Sequence, residues 1–184
     1  MKNLFKNTFI YIVTVFTVTM FFSCEGNLGE IQKLNISKKS PVGIAKDFKL
    51  TYTDSATVKA IVTAPVHKDF SNQSFQYQEF PEGLNVDFFD GQNNKSVVTA
   101  DYGIIYSHTN LVELIGNVVL KTHDGKKLEA PQLYYDQKNE WIFTEKNYTF
   151  TSEDLNMKGI GIDFNKDFTK VNSHRNKGSA LVKE

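Results

Sequence analysis

The chain has 184 residues, with 21 basic and 21 acidic side chains and a formal net charge of zero. That balance excludes the basic field needed to hold nucleic acid. A single cysteine excludes an internal disulfide, and a 13% aromatic share, with 15 Phe and 8 Tyr, favours strands.

In chain order, "MKNLFKN" carries Lys2 and Lys6 and no acid. An uncharged apolar run follows from Thr8 to Phe22, then Ser23 and Cys24. Basic start, short apolar middle and small residue before the cut are the layout of a secretory signal. As a helix the run spans roughly 22 Å, short of the ~30 Å hydrocarbon core. Cys24 after "FFS" resembles the lipobox cysteine of bacterial lipoproteins. Residues 1–23 are therefore read as a signal peptide and Cys24 as a lipid-bearing anchor. Residues 24–44, with "SKKSPVG", are read as a polar tether. The rest of the chain is then outside the cytoplasm, tethered to a membrane.

From residue 45 onward no amphipathic helix is evident. Short apolar stretches alternate with turn signals: "SNQS" (71–74), "PEG" (81–83), "DGQNN" (90–94), "SHTN" (107–110), "HDGK" (123–126), "DQKN" (136–139) and "NKD" (165–167). This spacing predicts an all-β sandwich or barrel. Asp124–Gly125 predicts a two-residue hairpin turn with positive φ.

The sequence also resembles itself at a shift of 30: "TADYGIIY" (99–106) falls on "EAPQLYYD" (129–136), and "LVELIGNVVL" (111–120) on "WIFTEKNYTF" (141–150). Fainter echoes lie at "GIGIDF" (159–164) and "TVKAIVTAPV" (57–66). Even shifts preserve the face to which a strand residue points. Even-numbered positions then form one apolar face: Val98, Ala100, Tyr102, Ile104, Val112, Leu114, Val118, Leu120, Ile142, Tyr148, Phe150, Ile160 and Ile162. The odd face mixes Asp101, Glu113, Asn117, Lys121 and Glu129 with fewer apolar residues, among them Ile115, Val119 and Leu133.

Catalytic signatures are missing. The four histidines are scattered, without metal-ligand spacing. "DFFDGQNN" (87–94) lacks the alternate oxygen ligands of a calcium loop and reads as a turn. Neither a phosphate loop nor a nucleophile elbow is present. The reading is of a protein that is not an enzyme and needs no metal or other cofactor.

The stretch from "EFPEGLNVDFF" to "APQLYYD" (79–136) carries a "TADY" strand, a "LIGNVVL" strand and a following "DGKKLEAPQLYYD" strand. In order and spacing it resembles the LptC family of lipopolysaccharide-export proteins, and the related LptA and OstA-type modules. The resemblance covers about residues 45–182. It implies an open, taco-shaped β-jelly roll over residues 45–184 with a greasy interior. It implies that the even face is a groove for lipopolysaccharide, received from an inner-membrane ABC exporter and passed to an LptA-type bridge. It further implies partners docked by edge-strand pairing, and a place at the periplasmic face of the inner membrane, with the outer membrane as the alternative.

Two features depart from the better-known members. Those are usually held by a transmembrane helix, whereas this chain reads as lipidated at Cys24. Of the family's two characteristic glycines, one matches Gly159, a structural glycine allowing close strand approach or a bulge. The other falls near Ser55, which fits only where φ need not be positive. A second reading stands beside the first: a surface lipoprotein with a closed β-sandwich, binding glycan or protein through an outer patch of Tyr135, Trp141 and Phe143.

Overall fold

A computed structural model describes residues 40–166 and 168–180. The signal peptide, Cys24 and most of the tether lie outside the described residues. Eleven strands follow in chain order: β1 (Gly43–Asp54), β2 (Thr57–Phe70), β3 (Tyr77–Phe80), β4 (Leu84–Phe89), β5 (Lys95–Ala100), β6 (Tyr102–Tyr106), β7 (Leu111–Lys121), β8 (Lys127–Asp136), β9 (Trp141–Thr151), β10 (Leu155–Asn165) and β11 (Val171–Ala180). The first begins at Gly43, two residues inside the range read as tether. All pairings are antiparallel and all strands belong to one sheet: all-β, as the turn spacing predicts, and of the jelly-roll class that the family resemblance implies.

The connectivity is a meander. β3 runs on into β4, and both pair with β2; β5 runs on into β6, and both pair with β7. β4 pairs with β5 and β3 with β6, so each broken pair acts as one long bent strand. β1 and β11 each have a neighbour on one side only and form the two edges.

The bends line up. Asp47, at φ 51°, sits in β1 near Pro65 of β2, where the ladder passes from Lys46–Val66 to Phe48–Ala64. Proline has no N–H to give to a ladder. Pro81–Gly83 separates β3 from β4, and a Cβ on Gly83 would lie 2.9 Å from the Ala100 carbonyl oxygen. Asp101 separates β5 from β6; its N–H donates to the Gly116 carbonyl (3.0 Å) and its carboxylate accepts from Asn117 Nδ2 (2.7 Å). Gly116 and Asn117, both at positive φ, form a bulge in β7. Register shifts follow around Pro131 in β8 and at Gly161 (φ 77°) in β10. Bulges and prolines bend strands and sharpen twist, so this line is a crease along which the sheet folds. With no helix among the described residues, the sheet itself must cover its own interior.

Every extra residue at the crease reverses which parity faces inward, because side chains alternate with period two. β7 and β9 keep even residues inside throughout: Leu114, Val118 and Leu120, then Ile142, Tyr148 and Phe150. β8 changes from Leu128 and Ala130 to Leu133, and β10 from Met157 to Ile162 and Phe164. The β5–β6 strand changes from Val98 and Ala100 to Gly103 and Ile105. The single even face is thus corrected: on the side of the crease that holds Val98, Leu120 and Phe150 it fails in β10, and on the other side it survives in β7, β9 and β10 but not in β6 and β8.

Two turns also differ from expectation. The Asp124–Gly125 hairpin is a three-residue loop closed by Thr122 N–H to the Lys126 carbonyl (2.9 Å), and only Gly125 has positive φ. A type I turn followed by one left-handed residue achieves the reversal, braced by Thr122 Oγ1, which accepts the Lys126 N–H at 3.0 Å. At the β1–β2 hairpin, Ser55 and Ala56 both adopt positive φ, 50° and 63°. The two-residue loop demands that geometry of whatever residue occupies it. Ser55 Oγ offsets part of the strain by donating to Asp54 Oδ1 (3.1 Å).

The repeat has a structural counterpart. The β6–β7 and β8–β9 hairpins lie 30 positions apart, and Asn110 (φ 54°) and Glu140 (φ 53°) hold equivalent left-handed places in their loops.

Candidate functional site

Alternating apolar residues put the same chemistry on the same side of each strand, and the register joins them across strands. One row shows this. Leu50 pairs with Val62, Val62 with Val86, Val86 with Val98, Val98 with Leu120, Leu120 with Leu128, Leu128 with Phe150, and Phe150 with Met157. The row runs without a polar interruption from edge strand β1 to β10. Its middle is sealed: Leu120 and Leu128 are 2% exposed. Its β1 end is open, with Leu50 49% and neighbouring Tyr52 60% exposed. The interior is therefore a packed apolar trough whose lining reaches the surface at a sheet edge.

The residues expected to line a groove divide in two. Val98, Ala100, Leu114, Val118, Leu120, Ile142, Tyr148, Phe150 and Ile162 belong to one buried cluster, and Val112 packs against it. Tyr102, Ile104 and Ile160 do not: the parity change at the crease turns Tyr102 and Ile104 outward, and Ile160 lies just before the Gly161 bulge, where the odd residues Leu155 and Met157 face inward. Tyr102 instead donates its hydroxyl to Glu79 Oε1 (2.6 Å), and Ile160 is 39% exposed. Phe80, Leu84, Leu133 and Phe168 join the cluster unforeseen, Met157 packs against it, and Leu50 and Tyr52 extend the lining, exposed, at the open β1 end. Alternation in "FKLTY" (48–52) is the signal for Leu50 and Tyr52. For Leu133 no local signal exists, because a bulge decides its side.

Small residues shape the trough. Gly103 faces inward, and a Cβ there would lie 2.8 Å from Leu84 Cδ2. Gly159 lies where β10 and β11 nearly touch; a Cβ would stand 2.2 Å from the Arg175 carbonyl oxygen. Tyr148 keeps its ring in the interior while its hydroxyl meets Ser173 Oγ at 2.6 Å.

The outer face is built differently. Glu113 accepts hydrogen bonds from Tyr106 (3.0 Å) and Tyr134 (2.8 Å) and from Gln132 Nε2. Burial, then the Glu113 carboxylate, pushes the Tyr134 phenol up to about 12. Burial and Glu79 likewise raise Tyr102. Tyr134 stacks on Phe143 with centroids 5.2 Å apart, and Trp141 Nε1 donates to Asp163 Oδ2 (3.2 Å). Trp141 and Phe143 are thus on the outer face, but Tyr135 packs against the core and is no part of such a patch. The 90–94 loop is held by its own acid: Asp90 accepts from the Gln92 and Asn94 N–H groups (2.8 and 2.9 Å).

The edges supply a second kind of site. Outward N–H and C=O groups of β1 and β11 have no neighbouring strand among the described residues. Such edges pair readily with a strand of another chain. β1 adds exposed Ile44, Leu50 and Tyr52; β11 is polar and basic, with His174, Arg175 and Lys177.

A search of curated proteins finds no match. The sequence pattern of the family described as lipopolysaccharide-assembly, LptC-related, matches residues 10–172. That family serves in transport, in the periplasm and attached to the inner membrane. With an all-β jelly roll, an apolar trough and a family match over most of its length, the chain belongs to the LptC-related family and takes part in lipopolysaccharide transport.

Proposed function

We propose that the domain is a passive conduit: it accepts the acyl chains of lipopolysaccharide from an inner-membrane ABC exporter and passes them to an LptA-type periplasmic bridge. The observation that carries this reading is the apolar row from Leu50 to Met157, open at the β1 edge. Acyl chains need a continuous apolar surface and no directional bonds, which such a row supplies. The two unpaired edges suit end-to-end addition of further jelly rolls, one to the exporter and one to the bridge. Cys24 is the lipid-bearing anchor in this reading. Energy for transport comes from the exporter's ATPase, so the domain needs only to hold and release.

The test is photocrosslinking during ATP-driven export in reconstituted membranes. A crosslinker replacing Leu50 or Met157 captures lipopolysaccharide only while ATP is hydrolysed. One replacing Ile104, on the outer face, captures none. Equal labelling at the interior and outer positions, or none at the interior, would sink the conduit.

A further inference from the structure

We infer that the trough holds a subsite for the polar junction of its lipid, a hydroxyl or amide group at the root of an acyl chain, formed by His67 and Gln78 at the β1 end. Two rows cross the sheet in register, one on each side of the crease. The first is the apolar row from Leu50 to Met157. The second runs from Gln78 through Ile105, Val112, Tyr135 and Ile142 to Phe164. The apolar members of that row belong to the interior cluster or pack against it. Residues directly opposite in a ladder point to the same side, so Gln78 also faces inward. His67 faces the same way: its ring stacks on Phe48 with centroids 4.3 Å apart and lies 5.2 Å from the ring of Phe80, which is 1% exposed. There the His67 imidazole Nε2 meets the Gln78 amide Oε1 at 3.0 Å. The first row thus reaches the β1 end as an oily lip at Leu50, and the second as a polar pair beside two phenyl rings.

The place of the pair and its chemistry decide the ligand. A polar group enclosed in an apolar trough loses its water, so a lipid keeps its polar part where protein partners replace that water. The β1 end of the second row offers such partners, whereas at the other end Phe164 pairs with Val171. When the neutral imidazole donates from Nε2 to Gln78 Oε1, its Nδ1 is an acceptor and the Gln78 amide nitrogen a donor. Among the described residues neither has a further hydrogen-bond partner. An acceptor beside a donor matches a hydroxyl or an amide. Charge disfavours a phosphate. Asp69 pairs with Gln78 and so faces the same side, its carboxylate accepting the Ser71 N–H at 2.8 Å. The nearby lysines are turned away: Lys68 faces Glu79 at 4.0 Å on the outer side, and Lys46 pairs with Val66, one residue off the inward Ala45–His67 pair. Acyl chains on the Leu50 side with their linkage on the His67 side give an entering lipid a single orientation. This subsite rests on the conduit reading and adds a point of recognition to it.

The test uses the full-length protein, either intact or carrying His67→Phe, which keeps the ring stack, or Gln78→Met, which keeps the length of the side chain. Two neutral probes, N-tetradecanoylglucosamine and tetradecane, compete against a tetradecyl diazirine whose labelling of the protein is read by mass spectrometry. Each variant is expected to weaken the amide probe roughly fivefold, the loss of one hydrogen bond, and to leave tetradecane unchanged. In the intact protein, the amide probe with a diazirine beside its linkage is expected to label β2 or β3. Equal weakening of both probes assigns the pair to packing of the lip and overturns the subsite. So does an amide probe that binds both variants as it binds the parent, or linkage labelling confined to β9 and β10. Each of these results leaves the conduit standing. If neither probe competes in the intact protein, the conduit itself falls and the subsite with it.

Discussion

The two faces of this sheet are made from alternate residues of the same strands, yet they are closed by different physics. The inner face is closed by packing: Phe164 and Ile162 are 0% exposed, and Val118, Leu120, Leu128 and Leu133 are 2% exposed. The outer face is closed by hydrogen bonds between phenols and carboxylates, centred on Glu79 and Glu113. Packing is non-directional and tolerates sliding, whereas a phenol–carboxylate bond holds one geometry. A sheet whose interior is to admit a lipid gains from keeping its fixed bonds outside. The outer band crosses β3, β6, β7 and β8, the strands that also carry the crease, so it stiffens the fold without entering the trough.

Three substitutions bear on that contrast. The largest effect is expected from Leu120→Ala. Removing a fully buried side chain from the middle of the apolar row costs about 3 kcal/mol, as transfer and cavity terms add. Urea unfolding followed by tryptophan fluorescence measures it, and a loss under about 1 kcal/mol would mean that the trough is already loose. Next is Glu113→Ala, which takes the shared acceptor from Tyr106, Tyr134 and Gln132. These groups are only half-buried and recover water, so about 1–2 kcal/mol is expected. The Tyr134 phenol should also fall from about 12 towards the ordinary value, part of the rise surviving through burial. Ultraviolet titration of the tyrosines reads that change. A raised tyrosine stabilises the fold below the unfolded value of about 10 and loses its effect as pH climbs through the folded one. Glu113→Ala should therefore blunt the alkaline decline.

The smallest effect is expected at the β7–β8 loop, away from both faces. Lys126, then Thr122, holds the Asp124 carboxyl down to about 2. A depressed carboxyl contributes above its unfolded value, near 3.8, and is lost as pH falls through the folded value. The carboxylate is 39% exposed, so solvent screening leaves about half a kcal/mol at most. Thermal melting of Asp124→Asn should differ from the parent above pH 4 and converge with it near pH 2. A difference that persists at pH 2 would place the loss in the turn's shape.

The legible part of the site follows from local pattern. Leu114, Val118, Leu120, Ile142 and Phe150 are on β7 and β9, whose parity the crease leaves unchanged, and the even-face reading places them correctly inside. Tyr102 and Ile104 share that pattern but lie beyond a bend, Ile160 lies just before the Gly161 bulge on a stretch where odd residues face inward, and Leu133 breaks the pattern and is buried. One added residue moves every later side chain to the other face, and nothing local announces which of several glycines, prolines or acids will take it.

The sequence by itself determined most of the turns, the all-β class of the fold and the family, because period-two alternation and turn chemistry are local properties. Only the tertiary structure decided where the sheet creases, which residues beyond the crease face inward, and that the apolar row stays in register from Leu50 to Met157. Those outcomes rest on how bulges in neighbouring strands align, and alignment exists only once distant parts of the chain have paired.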